Sequence, residues 1–95
     1  MSLTIVGRGT SSKLNIAVAT VLELGAGRIA RVSVLVAGSA PGTVNDAATT
    51  GSAAAANAVF IIPNTVGIYD VDWPVFAGIV VTPGAGQTVS VSFVI

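Results

Sequence analysis

The chain contains no cysteine and no histidine. That excludes disulfides, thiol catalysis, Ser-His triads and the usual zinc sites. Charge is almost as scarce. Arg8, Lys13, Arg28 and Arg31 are the only basic residues, and Glu23, Asp46, Asp70 and Asp72 the only acidic ones. Together they make up 8% of the chain, against about 25% in an ordinary soluble domain. Four cations are too few to follow a phosphate backbone, so no nucleic-acid partner is expected. Long apolar runs are missing too. The longest, residues 53–62 and 76–81, fall short of the roughly 20 residues of a membrane-spanning helix. Too few strands are legible for an eight-stranded membrane barrel, and the first twelve residues lack the apolar core of a secretory signal. No membrane partner is expected.

What the chain does have is apolar surface. Hydrophobic residues reach 53%, mean hydropathy is +0.89 and net charge is zero. Ninety-five residues suffice for one domain with one core. Such a chain has little charge to keep it apart from other molecules. Burial in a homo-oligomer or larger assembly is therefore expected.

The apolar residues are of the β-forming kind. Val (16), Ile (8) and Thr (9) far outnumber Leu (5). β-branched side chains fit a pleated surface better than a helix. Eleven Gly and four Pro divide the chain at short intervals. Residues 28–37 alternate, with Ala30, Val32, Val34 and Val36 on the more apolar face. Residues 88–95 alternate as well, with Val89, Val91, Phe93 and Ile95 on one side. Further strands are read at 15–24, 43–46, 58–62, 68–73 and 77–82. The expectation is an all-β single domain, a β-sandwich or jelly-roll-like barrel of about seven short antiparallel strands. Residues 1–14 read as an N-terminal arm and 15–95 as the β-sandwich domain. Residues 47–56 read as a small-residue loop.

The turns carry two further signals. Val21-Leu22-Glu23-Leu24-Gly25-Ala26-Gly27 resembles the first motif of the S-adenosylmethionine-dependent methyltransferases. In that motif the turn must open a helix. Here a period-two segment follows, and Arg28 and Ile29 stand where a further Gly belongs. A plain hairpin turn is expected instead, and no cofactor. The segments 36–44 and 81–89 also echo one another, each a strand, a Pro/Gly turn and Thr-Val. Two similar hairpins are the expected source.

Few residues carry candidate chemistry, and no enzyme activity is expected. Asp70 and Asp72 lie two apart on a strand, so their carboxylates share a face. They read as a solvated or subunit-facing pair. Arg28 and Arg31 are expected on opposite strand faces. A partner for Arg31 is sought in Glu23, Asp70 or Asp72, because burying it unpaired is costly. Tyr69 and Trp73 are the only Tyr and Trp, residue types common both at interface hot spots and in cores. The interface candidates are Leu3, Ile5 and Arg8 in the arm, Arg31 mid-strand, and Tyr69, Asp70, Asp72 and Trp73.

Several segments together resemble small virion structural proteins of tailed bacteriophages. They are Gly27-Arg28-Ile29-Ala30-Arg31-Val32-Ser33-Val34, Ala37-Gly38-Ser39-Ala40-Pro41-Gly42 and Ile62-Pro63-Asn64-Thr65-Val66-Gly67. The ending adds Trp73-Pro74, Gly78-Ile79-Val80-Val81, Pro83-Gly84, Gly86-Gln87 and Val89-Ser90-Val91-Ser92. The likeness covers roughly residues 15–95. It implies a virion component: a capsid decoration (cement) protein, a head fibre or a tail-associated adhesin. Such proteins are commonly homotrimeric β-structures, which implies a trimer with the major capsid protein as partner. The alternative it implies is an adhesin module binding a host-surface glycan. The family supplies no catalytic residues.

Overall fold

A computed structural model describes residues 10–94. Leu3, Ile5 and Arg8 lie outside the described residues. Eight strands follow one another: β1 (Thr10–Ile16), β2 (Thr20–Leu24), β3 (Gly27–Val36), β4 (Gly42–Asp46), β5 (Ala58–Ile62), β6 (Gly67–Val75), β7 (Gly78–Thr82) and β8 (Thr88–Val94). They form two four-stranded antiparallel sheets. Sheet A has the order β1-β8-β3-β6 and sheet B the order β2-β7-β4-β5. The partners therefore nest as β1 with β8, β2 with β7, β3 with β6 and β4 with β5. An antiparallel ribbon folded over in this way is a jelly roll, the double-sheet member of the all-β architectures.

Eight strands stand where about seven were expected. The extra one comes from the segment 15–24, which does not run as one strand. β1 ends at Ile16, and β2 begins in the other sheet at Thr20. Residues 10–14, read from sequence as part of the arm, belong to β1 and pair with β8. Their polar sequence hides this. β1 is an edge strand that buries only Ile16, so almost nothing in it needs to be apolar.

The Gly-rich turns are not hairpins. The Gly25-Ala26 turn links β2 in sheet B to β3 in sheet A, and the two echoing segments also pass from one sheet to the other. Their resemblance has a structural source, because the two corners lie against each other. The Ser39 amide donates to the Ala85 carbonyl at 2.8 Å. A Cβ on Gly38 would overlap the Ala85 carbonyl, and one on Gly84 the Ala40 carbonyl. Close approach of backbone to backbone is why glycine occupies both corners. Gln87, fully buried, donates to the Pro63 carbonyl and accepts from the Gly84 amide, both at 3.0 Å.

The core lies between the sheets. Val89, Val91 and Phe93 face inward as their alternation predicts. On β3 the parity changes. Ile29, Val32 and Val34 are buried, because the register slips between Ile29 and Arg31 against both neighbours, and Val36, beyond a second slip against β8, is exposed. Such a bulge transfers later side chains to the opposite face. Sheet B contributes Val44, Ile62, Ile79 and Val81. Burying each of these aliphatic side chains contributes on the order of 1.5–3 kcal/mol before conformational entropy is subtracted.

The outer face of sheet B is partly covered. Val80 and Asn45 pair across β7 and β4 and are both buried, although neither belongs to the inter-sheet core. The alanine-rich segment after β4 lies beside them as two single-turn 3₁₀ helices, Thr50–Ser52 and Ala55–Asn57. The Asn45 Nδ2 donates to the Ala54 carbonyl and to Asn57 Oδ1, each at 2.8 Å. Asn57 in turn accepts from the Ala54 amide and donates to the Ser52 carbonyl. Two side-chain amides thus hold down a segment with little helix-forming capacity of its own.

Candidate interaction surface

The bulge on β3 decides the chemistry of the outer face of sheet A. Without it, Arg28 and Arg31 would fall on opposite faces, as the sequence pattern suggests. With the slip, Ile29 turns inward and both arginines reach aspartates of the neighbouring strand β6. The Arg31 Nε donates to Asp70 Oδ1 at 2.8 Å. The Arg28 Nη1 donates to Asp72 Oδ1 at 2.9 Å and to the Asp72 carbonyl at 3.2 Å. Asp72 has a φ of 47°, a left-handed conformation that Asp tolerates better than most residues. It sits where β6 loses register with β3.

The result is a short band of two parallel ion pairs, Arg on β3 and Asp on β6. Asp70 satisfies the expectation of a partner for Arg31. Arg28 is about half exposed and the other three side chains mostly so, and the pairs therefore contribute little to stability. Their effect is to hold four charges in a fixed pattern, which favours specificity and orientation in an encounter over affinity. Arg31, Asp70 and Asp72 together with Ala30 line a shallow open hollow. Among the described residues no three of His, Cys, Asp and Glu stand together as metal ligands.

Beside the charged band the face is neutral and flat. Ser12, Ser92, Arg31 and Asp70 form one cross-strand row. Ser90, Ser33 and Ile68 lie in the next row, and Leu14 lines the same depression. Ile68 is 71% exposed. Hydroxyls occupy the middle of this depression and aliphatic groups the margins, so apart from Arg31 no full charge there has to be desolvated.

The two aromatic candidates part company. Trp73 pairs in register with the inward-facing Ile29, so it lies on the inner side of sheet A, and it is 53% exposed. Tyr69 packs partly against the core, and its hydroxyl donates to the Thr65 carbonyl at 2.7 Å. It is a core aromatic with a polar handle. Arg31, Asp70 and Asp72 are thus brought together on the outer face, and Tyr69 and Trp73, opposite the buried Val32 and Ile29, are turned to the other side.

Sequence reasoning missed three polar residues. Asp46 accepts from three successive backbone amides, those of Phe76, Ala77 and Gly78, at its Oδ1. It thereby caps the corner between β6 and β7. Asn45 and Gln87 are the buried polar residues described above. Apart from the bond of Gln87 to the Gly84 amide three residues away, their partners are 9 to 32 residues distant, beyond the reach of a local pattern.

Other apolar surface lies away from sheet A. Phe76 is 76% exposed at its corner, and Ile61 on edge strand β5 is 57% exposed. Ile61 borders a hollow of about 460 Å³ on sheet B, walled mainly by the methyl groups of Ala19, Thr43, Ala54 and Ala58. No family model matches this chain, and no curated protein or solved structure matches it at a significant level.

Proposed function

We propose that this protein is a non-catalytic capsid decoration protein of a tailed phage. In this reading it acts as a homo-oligomer, a trimer, that binds the major capsid protein in the assembled head. The observation that carries the reading is a jelly roll whose surface is nearly uncharged and holds exposed Ile68, Ile61, Trp73 and Phe76. Jelly rolls are among the folds of viral capsids, though a fold alone does not assign a function. The mechanism is passive. A protein that binds only the assembled lattice stabilises it by mass action. The ion-pair band of Arg28, Arg31, Asp70 and Asp72 orients the contact, and neutral and apolar surface supplies its area.

The test is co-sedimentation of the purified protein with empty heads of a phage that carries this gene. Saturable, stoichiometric binding to assembled heads, absent with unassembled capsid subunits, is the expected result. Bare heads together with labelling of host cells would move the protein to the adhesin class. Exposed Trp73 and Phe76 are the aromatics available for stacking on a sugar in that case.

A further inference from the structure

A jelly roll leaves four edge strands, each with one row of backbone N–H and C=O groups facing outward. Proteins protect such rows with charge, proline or bulges, because a bare edge recruits another strand. Three of the four edges here are protected. β1 carries Lys13 mid-strand, Asn15 at φ 54° and a register slip. β2 carries Glu23 and a slip. β6 carries Asp70, Asp72, Pro74 and the left-handed Asp72.

β5 is different. Its sequence is Ala-Val-Phe-Ile-Ile, with no charge and no proline. Among the described residues it pairs with β4 alone, and its one irregularity, toward Ala58, leaves Phe60–Ile62 in regular register. No hydrogen bond described for the chain reaches the other side of β5. By the measure applied to its three counterparts, this edge is built to be paired.

The chain outside the described residues contains a matching stretch of sequence. Leu3-Thr4-Ile5-Val6 is uncharged, rich in β-branched residues and four residues long. It cannot reach the β5 edge of its own copy. Val6 lies four residues before Thr10, so it reaches at most about 13 Å from β1 at about 3.3 Å per residue. β1 and β2, joined by residues 17–19, mark one margin of the sandwich, and β5 and β6 the opposite one. The free side of β5 is four strand spacings from that first margin, about 19 Å, before the sheet separation of about 10 Å is added.

We propose that residues 3–6 of one copy add to the β5 edge of the next copy, extending its sheet B from four strands to five. The contact is head-to-tail, so a closed ring results if the rotation closes. Backbone hydrogen bonds supply the recognition, as in other strand additions. The proposal rests on the homo-oligomer of the reading above and is independent of the capsid.

Three chains compared by light scattering after size exclusion provide the test: the full chain, the chain lacking residues 2–9, and Ile61→Lys. Ile61 is exposed, so the lysine restores to β5 the protection its counterparts have without disturbing the core. The expected result is an oligomer for the full chain and a folded monomer of about one chain mass for both variants. A synthetic peptide of residues 1–9 added to the truncated chain then slows amide exchange at Phe60–Ile62. A monomeric full chain overturns the proposal, and so does an oligomer that survives the truncation or the lysine. The survival of an oligomer after truncation but not after Ile61→Lys identifies β5–β5 self-pairing as the contact instead. A normal oligomer that leaves heads bare rejects the decoration reading and leaves strand exchange standing.

Discussion

The side chain of Asn64 closes on both backbone groups of Gly38, accepting from its amide and donating to its carbonyl, each at 2.7 Å. A side-chain amide here stands in for a neighbouring strand. It ties the β5–β6 link to the β3–β4 corner, 26 residues away. Asn64→Ala leaves a partly buried donor and acceptor without partners. The expected cost is about 2 kcal/mol, seen as a fall in melting temperature of roughly 10 °C for a domain of this size. Asn64→Asp costs at least as much, because a carboxylate cannot donate to the carbonyl. Thermal melts followed by circular dichroism check both.

Asp46 supplies the same service at the opposite end. Its carboxylate takes three consecutive amides where the chain turns from β6 into β7. Asp46→Ala is expected to destabilise by about 2 kcal/mol, since hydrogen bonds to charged groups are stronger than neutral ones. Asp46→Asn keeps one acceptor and is expected to lose less. Hydrogen exchange gives the specific signature: faster exchange at Phe76, Ala77 and Gly78 with little change in β8.

The Arg31–Asp70 pair predicts the opposite balance. Arg31→Ala and Asp70→Ala, alone or together, are expected to change stability by less than about 1 kcal/mol, because both side chains are mostly solvated. Binding to heads is expected to weaken and to lose its orientation dependence. A double-mutant cycle in urea, set beside head co-sedimentation of the same variants, separates the two effects. A large stability loss with unchanged binding would remove this band from the interaction surface.

Gly84→Ala tests the crossing of the two corners. The added methyl meets the Ala40 carbonyl, which belongs to a corner that cannot retreat without moving β3 and β4. The expected result is a loss above about 3 kcal/mol, or failure to accumulate as folded protein. Gly51→Ala provides the control, since open space surrounds that position.

Much of this fold is legible in the residues, and the misreadings share a cause. Val89, Val91 and Phe93 alternate over a regular strand, so period two alone places them in the core. β3 defeats the same rule. A bulge opposite β8 and β6 is a property of pairing, and it turns Ile29 inward and sets Arg28 beside Arg31 on the outer face. β1 was hidden because an edge strand that buries one residue needs no apolar pattern. The Gly-rich turns look like hairpins in the sequence because turn chemistry specifies a reversal of direction and not which sheet the chain enters next. The candidate surface follows the same division. The carboxylate pair Asp70 and Asp72 was visible as a two-residue spacing, and its pairing with two arginines about 40 residues earlier was not.

The pairing of β1 with β8 has a consequence for synthesis. β8 lies between β1 and β3, so until the last described strand leaves the ribosome sheet A is two separate pieces. The core side chains Val89, Val91 and Phe93 arrive with that same strand. Nearly every contact spans a long stretch of sequence, which makes for slow folding and a lengthy exposure of unpaired edges. Sheet A is therefore joined in one late step, after all four strands of sheet B have been made. A product cut short before residue 88 leaves β3 and β6 without the strand that joins them to β1.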